Sequence, residues 1–261
     1  MNLRRELKTP SFLFLSKNII IKKMSFNKKI TVLSTFTEDK VIDDINKIAK
    51  TQKGGPAFYI ANVFKHEKLA FDVVKTPTVK IEIKLKKNLE IGKVKTMPKT
   101  KKVDFDKMNS EFMVISTILK EFNLSGISKY KGKVFLDIQG YVRDRKNFVG
   151  KILFHSSSEI ATSIFCLKGT EEEVGYLPKD FIKTQKKKIL IVTKGSKGCE
   201  AFILGKKYVI KPKRISNPKN TIGAGDTFFA HFIAYLCKDN DFVEGLRYAT
   251  EKTSIFLERK V

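Results

Sequence analysis

Short apolar runs that alternate with helical segments constrain this chain more than any other feature. Beyond residue 112, four such runs cover 113–116, 134–138, 152–155 and 189–193. Segments with helical spacing follow or separate them, at 116–122, 158–167, 177–185, 225–237 and 242–257. This alternation is typical of a mostly parallel sheet flanked by helices. We therefore predict an α/β fold in which a ligand binds at the carboxyl ends of the strands.

The first hundred residues follow a different pattern. A β-rich run at 29–35 and a segment with helical spacing at 43–50 precede a pair of glycines and a second helix at 57–65. Residues 68–103 then alternate apolar residues with lysines, which indicates half-exposed antiparallel strands. We expect residues 68–103 to form a small β lid that projects from the main body.

Residues 1–23 differ from the rest of the chain. They are basic and carry a short apolar patch at 12–15. A targeting or surface-binding arm is one interpretation, but the patch is short for a signal peptide and no small-residue cleavage site follows it. The simpler interpretation is a basic N-terminal extension that needs no ordered structure, ahead of one domain at 24–261 whose true start is Met24.

The formal net charge of +25 raises the question of nucleic-acid binding. Of the 52 basic residues only seven are Arg, and the lysines are spread along the chain. Sites that recognise nucleic-acid sequence use Arg and exposed aromatic residues. We therefore expect no dedicated nucleic-acid binding, with a lysine-rich RNA-associated protein as the remaining alternative. The positive field would still attract anionic substrates.

Composition also restricts the compartment. No apolar run approaches the roughly 18 residues that span a membrane. Cys166, Cys199 and Cys237 are scattered without metal-ligand spacing, which is typical of a protein from a reducing cytoplasm. The three histidines are well separated, so we expect no metal site made of His and Cys.

Residues 220–229 join a tight glycine loop to an apolar helix. Gly223, Ala224 and Gly225 stand at the predicted helix start, where the first amide groups have no partner within the helix. The helix dipole adds positive charge there, and the glycines let an anion approach. Asp226 could accept a proton from an attacking hydroxyl at the same point. This arrangement is typical of a phosphoryl-transfer site.

The segment NTIGAGD within this loop resembles the signature D-T-x-G-A-G-D of the ribokinase-like (PfkB) family of carbohydrate and nucleoside kinases. The resemblance extends from about residue 24 onward and implies a three-layer ribokinase-like fold with a small β lid. It also implies that the amides of Gly223, Ala224 and Gly225 form an anion hole and that Asp226 is the catalytic base. We expect the helix dipole to keep Asp226 ionised.

Two glycine motifs support the resemblance. The segment TKGSKG, which follows the run at 189–193, resembles the family's T-x-G-x-x-G segment beside the nucleotide. The nucleotide-binding residues that the resemblance implies are Thr193, Gly195, Gly198 and Thr221. Gly54 and Gly55 resemble the N-terminal glycine pair whose backbone approaches the sugar, although Tyr59 stands where the family usually has Asn.

Three single residues each have two interpretations. Asp39 matches the position of an Asp that binds substrate hydroxyls, and an Asx turn explains it nearly as well. Glu159, preceded by Ser156 in place of Asn, resembles the end of the family's N-x-x-E motif near Mg²⁺; helix capping explains it equally well. Arg143 is either an anion contact for the substrate or a surface arginine.

Together these motifs predict an enzyme, an ATP-dependent kinase that transfers the γ-phosphate to a hydroxyl of a sugar or polyol, with Mg²⁺. A nucleoside kinase of the same fold is the nearest alternative. Tyr59 and Ser156 also suggest a degenerate kinase that binds a ligand without turnover. Lids of this family often pair between subunits, so a homodimer through the lid stays open.

Overall fold

Each strand of the protein is five to eight residues long. The computed structural model describes residues 29–43, 47–86, 89–96, 98–146 and 148–260. In chain order its strands are β1 (Ile30–Ser34), β2 (Thr37–Asp43), β3 (Ile48–Gly54), β4 (Phe71–Lys75), β5 (Val79–Lys86), β6 (Leu89–Val94), β7 (Phe112–Ser116), β8 (Lys133–Asp137), β9 (Ile164–Thr170), β10 (Ile189–Thr193), β11 (Cys199–Ile203) and β12 (Lys206–Ile210).

The helices are α1 (Pro56–His66), α2 (Gln139–Val142), α3 (Ser158–Ser163), α4 (Glu171–Gly175), α5 (Lys179–Lys186), α6 (Ala224–Lys238) and α7 (Phe242–Glu258). Short 3-10 turns occupy Phe105–Lys107, Ile127–Lys129 and Gly195–Lys197. Among the described residues, no helix is long and apolar enough to cross a membrane.

Eight strands form the central sheet, in the order β12-β11-β10-β9-β8-β7-β1-β4. Its inner strands, such as β1, β7 and β10, are almost entirely buried and mostly apolar. The strands from β10 to β4 are parallel, and the hairpin of β11 and β12 continues the sheet in antiparallel register. Strand β1 lies between β4 and β7 in the sheet. The next strands of this sheet along the chain therefore lie first on one side of β1, as β4, and then on the other side, as β7. A crevice opens at such a switch point, where the carboxyl ends of the parallel strands meet.

Helices cover both faces of this sheet. One apolar core joins the sheet to α1, α6 and α7, and includes Phe64, Phe229 and Phe232, each fully buried. The other core joins the sheet to the segment just before β7 and to those between β7 and β10, and includes Phe105 and Phe122. The predicted α/β fold with a mostly parallel sheet flanked by helices is confirmed.

A second sheet of four strands, in the order β3-β2-β5-β6, stands apart from the central sheet. The predicted lid at 68–103 therefore has different bounds, because β4 joins the central sheet while β2 and β3 supply half of the lid. The helix predicted at 43–50 is wrong in its described part, since Asp43 ends β2 and Ile48 begins β3. Parallel pairing of β2 with β5 fixes β2 as a strand up to Asp43.

Three other predictions differ from the structure. The helix predicted at 158–167 ends at Ser163, because Ile164–Thr170 pair as β9 in the central sheet. Residues 152–155 form no strand; β8 is already paired on both sides by β7 and β9, and Phe154 instead donates its amide to the carbonyl of Tyr176. Residues 116–122 form turns rather than a helix, and the carboxylate of Glu121 accepts the amides of Ile118 and Leu119 there. The extension at 1–23 lies outside the described residues.

Candidate active site

The carboxyl ends of the parallel strands open into one cavity of about 520 Å³. Ser116, Asp137, Thr170 and Thr193 end β7, β8, β9 and β10 at this edge. The cavity is also lined by the lid sheet, the loop before α6 and the last turns of α7. Every residue that the sequence predicted for the site lines this cavity, except Glu159 and Gly54. Gly54 adjoins Asp39, which does line the cavity.

Asp226 lies in the first turn of α6, beside the end of β7. The hydroxyl of Ser116 donates a hydrogen bond of 3.2 Å to its Oδ1 atom, and the Ser116 carbonyl accepts from the hydroxyl of Ser34 at 2.7 Å. Burial and the nearby carboxylate of Asp137 raise the pKa of Asp226 to about 7, against the opposing effect of Lys168. This rise is opposite to our expectation that the helix dipole keeps the carboxylate fully ionised.

A buried ion pair forms the floor of the cavity. The Nζ atom of Lys168 lies 2.7 Å from Oδ2 of Asp137, and the two side chains are 2% and 0% exposed. A Cβ placed on Gly225 would lie 2.9 Å from the same Nζ atom. The ammonium group therefore adjoins the loop at residues 219–225, which we call the anion loop. Burial alone would lower the pKa of Lys168, but Asp137, Glu173 and Asp226 together hold it above its ordinary value.

Arg143 is not a surface arginine. Its guanidinium donates to the carbonyl of Ile118 at 3.3 Å and lies 4.4 Å from the ring centre of Phe148. Burial lowers the pKa of Arg143, while carboxylates led by Glu173 and Asp137 oppose that effect. Lys168 and Arg143 therefore give this end of the cavity two cations for an anionic ligand.

The opposite end of the cavity carries a buried carboxylate. Asp39 on β2 is 2% exposed, and burial raises its pKa. Within the described part of the chain, its Oδ1 atom and the hydroxyl of Thr37 have no hydrogen-bond partner. A Cβ on Gly54 would lie 1.9 Å from Oδ2 of Asp39, so this glycine makes room for the carboxylate. Two buried polar atoms facing a cavity are typical of a site for a hydroxyl-bearing ligand.

The ring of Tyr59 packs against the anion loop. Gly223 has a positive φ of 79° and precedes α6, which receives no side-chain cap from it. A Cβ on Gly223 would lie 2.3 Å from Cζ of Tyr59, so only glycine allows this contact. No side chain of the described residues caps the start of α6. The amide of Ala224 donates to the carbonyl of Thr221 at 2.9 Å, so the amides of Gly223 and Gly225 are the candidates for binding an anion from the cavity.

Replacing Gly223 by Ala should both destabilise the protein and displace the anion loop. The left-handed backbone alone costs about 1–2 kcal/mol for Ala. The collision with Tyr59 adds about 1–3 kcal/mol. A shift of the loop by about 1 Å should lower kcat about 10²-fold. Chemical unfolding and steady-state kinetics measure the two effects.

Gly126 provides a matched control for this prediction. It has the same backbone conformation, with a φ of 80°, and apart from its chain neighbours no residue lies within 4 Å of the position that a Cβ would occupy. Gly126→Ala should lower the free energy of unfolding by the backbone contribution only and should leave kcat unchanged. Equal losses of stability in the two variants, with full activity in both, would show that the Tyr59 contact is unimportant.

The segment after β10 forms another wall of the cavity. Thr193 ends β10, Gly195 begins the next turn, and Gly198 packs on the carbonyl of Ile210, where a Cβ would lie 2.1 Å from the oxygen. Pro212 and the last turn of α7 line the same cavity. The structure thus brings the T-x-G-x-x-G segment and the anion loop to one cavity.

Glu159 lies outside this cavity. It lines a separate depression, where the hydroxyl of Ser128 donates to its Oε1 atom at 2.7 Å. The helix cap of α3 is Ser157, not Ser156. A different pair stands at the cavity edge: Thr170 and Glu173 form a reciprocal capping box at the start of α4. Glu159 is therefore in no position to bind a metal in the cavity.

Two charged residues of the site were not predicted from the sequence. Lys168 had a visible signal, since it is the one charged residue in the otherwise apolar strand β9. Glu90 had none, because its role depends on the approach of the lid to the anion loop. Its Oε1 atom accepts the amide of Thr221 at 2.6 Å and the Thr221 hydroxyl at 2.9 Å.

Residues 151–260 match the profile of the pfkB family carbohydrate kinases. The matched region holds the anion loop, Asp226 and the T-x-G-x-x-G segment, and the fold around it is the three-layer fold that the motifs implied. The chain has a ribokinase-like fold, and the match to the PfkB family covers its residues 151–260. The match supports a small-molecule phosphotransferase that acts on a hydroxyl group.

Solved structures of ribokinase-like kinases share this fold at low identity. A pyrophosphate-dependent kinase in complex with a pyrophosphate analog and myo-inositol is 16% identical, with a TM-score of 0.69 over 88% of this chain and 95% of that one. Arabidopsis thaliana ribokinase with ribose and ATP is 18% identical, with a TM-score of 0.62 over 88% and 93%. The Methanocaldococcus jannaschii nucleoside kinase is 20% identical, with a TM-score of 0.63 over 88% and 92%. No curated protein sequence matches the chain.

Proposed function

We propose that this ribokinase-like protein transfers the γ-phosphate of ATP to a hydroxyl of a sugar or polyol, with Asp226 as the base. The observation that carries the proposal is the position of Asp226, one residue beyond the glycine loop at 223–225, which has no side-chain cap, and beside Lys168. An acceptor hydroxyl and a phosphoryl group can meet at that point. No other carboxylate of the cavity stands at a helix N-terminus there among the residues described.

The acceptor would bind between the lid and α1. Asp39 Oδ1 and the Thr37 hydroxyl are buried without partners, so a hydroxyl-bearing ligand would satisfy both. The ring of Tyr59 bounds this space, and Ile81 and Ile83 of the lid cover it. The lid would exclude water from the reacting groups and so limit hydrolysis of the donor.

Phosphoryl transfer depends on the placement of Asp226 and on the positive charges at the end of the cavity opposite Asp39. Asp226 would take the proton of the acceptor hydroxyl, and its raised pKa improves its strength as a base near neutral pH. The amides of Gly223 and Gly225 would hold the oxygens of the moving phosphoryl group, and that of Ala224 would join them only by leaving the carbonyl of Thr221. Lys168 and Arg143 would neutralise the negative charge that develops there.

The donor would lie along Thr193, Gly195 and Gly198, with its phosphates toward the anion loop and Thr221. ATP is supported by the likeness to the plant ribokinase complex, and pyrophosphate by the likeness to the pyrophosphate-dependent kinase. The walls formed by Pro212, Ile215 and Leu257 supply apolar surface suited to a base and favour the nucleotide.

Magnesium fits this cavity only as an ion that arrives with the donor. Among the described residues no group of three His, Cys, Asp or Glu side chains could hold a metal. Mg²⁺ is commonly held by substrate phosphates with one or two carboxylates. When bound, it would supply charge neutralisation to the phosphates and would be held by them, because Asp226 serves as the base and Asp137 is buried against Lys168.

A two-way panel of donors and acceptors tests the proposal. ATP or pyrophosphate is combined with aldoses, ketoses, cyclic polyols and nucleosides, and acceptor-dependent release of ADP or phosphate is followed. Strong turnover of ATP with a sugar or polyol is expected. Turnover confined to nucleosides would identify the nucleoside kinase instead. Binding of acceptors in a thermal-shift assay without turnover of any pair would favour the degenerate kinase and overturn the proposal.

A further inference from the structure

The segment that follows α7 is attached to the anion loop by three hydrogen bonds. The carbonyl of Lys260 accepts the amide of Lys219 at 2.9 Å. Its Nζ atom donates to Oδ1 of Asn220 at 3.0 Å and to the carbonyl of Ile222 at 2.5 Å. One side chain, distant in sequence, thus contacts both residues that flank Thr221.

The ammonium group of Lys260 is placed by aromatic rings. It lies 4.6 Å from the ring centre of Phe256 and 5.8 Å from that of Tyr59, and these two rings make an edge contact at 6.0 Å. Cations are attracted to the faces of aromatic rings at such distances. Burial lowers the pKa of Lys260, and Glu90 opposes this effect.

The hydrogen bond to Ile222 determines how the next amide points. A trans peptide is planar, so its carbonyl and the following N–H point in opposite directions. Because Lys260 holds the Ile222 carbonyl, the N–H of Gly223 points away from Lys260. Gly223 precedes α6 and gives it no side-chain cap, and its backbone has the flexibility of glycine. The hydrogen bond that fixes the Ile222 carbonyl therefore keeps the amides of the anion loop aligned.

Within the described residues, the positive charge of Lys260 is not neutralised by an ion pair with a carboxylate. Its two acceptors are a neutral carbonyl and a neutral amide oxygen. Among the described residues, no Asp or Glu forms an ion pair with it, whereas Lys168 is paired with Asp137. Its positive charge thus offsets Glu90, which binds Thr221 on the same loop.

We propose that Lys260 is a positioning residue for phosphoryl transfer, a tethered cation that holds the anion loop in its binding conformation. The inference rests on the proposed function, because it concerns the same anion site. It predicts that the loss of the ammonium group weakens both anion binding and turnover, although Lys260 itself does not contact the reacting atoms.

Lys260→Met tests the proposal, because it keeps the length and apolar stem of the side chain and removes the charge. We expect a roughly 10- to 100-fold loss of kcat with a smaller change in the KM of the acceptor. Lys252→Met is the matched control on α7, since Lys252 also lies over a tyrosine ring, that of Tyr248, and does not line the cavity. That control should keep wild-type kinetics.

Chemical rescue separates positioning from a structural role. In Lys260→Ala, added methylammonium or ammonium should raise kcat at least about tenfold toward the wild-type value, and Lys260→Arg should retain most activity. Neither cation should restore Asp226→Asn. Wild-type kcat in Lys260→Met, or loss of activity that neither cation nor Arg restores in a folded protein, would overturn the proposal.

Binding of inorganic pyrophosphate, measured by calorimetry, keeps the test independent of turnover. We expect roughly tenfold or greater weakening of binding to Lys260→Met relative to the wild-type chain. If the wild-type chain transfers no phosphate but this difference in binding appears, the proposed function fails and the role of Lys260 stands. Equal pyrophosphate affinity in an active wild type and the variant would contradict the role of Lys260 alone.

Discussion

Replacing Asp226 by Asn is expected to lower kcat by about 10²–10⁴-fold, the usual contribution of a general base. Asn keeps the shape of the side chain and can still accept from Ser116, but it cannot take a proton from the acceptor. Steady-state kinetics with the best acceptor measure the loss. Asp180→Asn is the matched control, because Asp180 also lies in the first turn of a helix, α5, and does not line the cavity. Equal kcat values in the two variants would exclude Asp226 as the base.

The raised pKa of Asp226 gives this prediction a pH dependence. A base must be ionised to act, and burial with Asp137 places the pKa of Asp226 at about 7. The kcat/KM of the wild-type protein should therefore fall about tenfold per pH unit below about 7 and level off above it. A profile that stays flat from about pH 5 to 8 would contradict the assignment.

Stability should change in the opposite sense to activity. A carboxyl group whose pKa is higher in the folded state than in the unfolded state favours folding least at high pH. The carboxyl group of Asp226 begins to lower the free energy of unfolding as pH rises above its ordinary pKa of 3.8, and this destabilisation is complete above about pH 7. Asp226→Asn should therefore raise the unfolding temperature at about pH 8 and leave it unchanged near about pH 3. This result also excludes misfolding as the cause of lost activity.

Lys168→Met is expected to lower the free energy of unfolding by about 3–5 kcal/mol, because it leaves the carboxylate of Asp137 buried without its cation. It should also raise the pKa of Asp226 further, since Lys168 now opposes that rise. The kcat/KM profile should consequently move to higher pH. Chemical unfolding and pH-dependent kinetics measure the two effects.

The double variant Lys168→Met with Asp137→Asn is the control for this pair. Removing both charges should recover much of the lost stability, and the difference from the sum of the single changes gives the coupling energy. Activity should stay low in the double variant, because the cation beside Gly225 is still absent. Full stability of Lys168→Met alone would show that the buried pair contributes nothing.

The sequence predicted the parts of the site that depend on local pattern. The glycines and Asp226 stand at a helix start, and the strand at 189–193 ends where its glycine turn begins, so both could be located from neighbouring residues. Asp39 could be singled out by the family resemblance, although its burial on β2 could not.

Other parts depend on contacts that no local pattern records. Residues 48–50 have a spacing compatible with a helix, and only their pairing with β2 in the lid sheet makes them a strand. Glu159 follows serines that can cap a helix, and the structure uses one of them for that purpose. Glu90 and Lys260 reach the anion loop from segments 131 and 38 residues away in sequence. Their roles follow from the tertiary fold alone.

Phosphorus NMR of the reaction mixture tests the central claim most directly. The wild-type chain, ATP and the best acceptor of the panel should give a new phosphate-ester resonance with one ADP for each ester formed. The same mixture with Asp226→Asn should give no ester over the same period. Acceptor binding with ATP left intact, or hydrolysed to free phosphate, would contradict the account; so would equal ester formation by the Asp226→Asn variant.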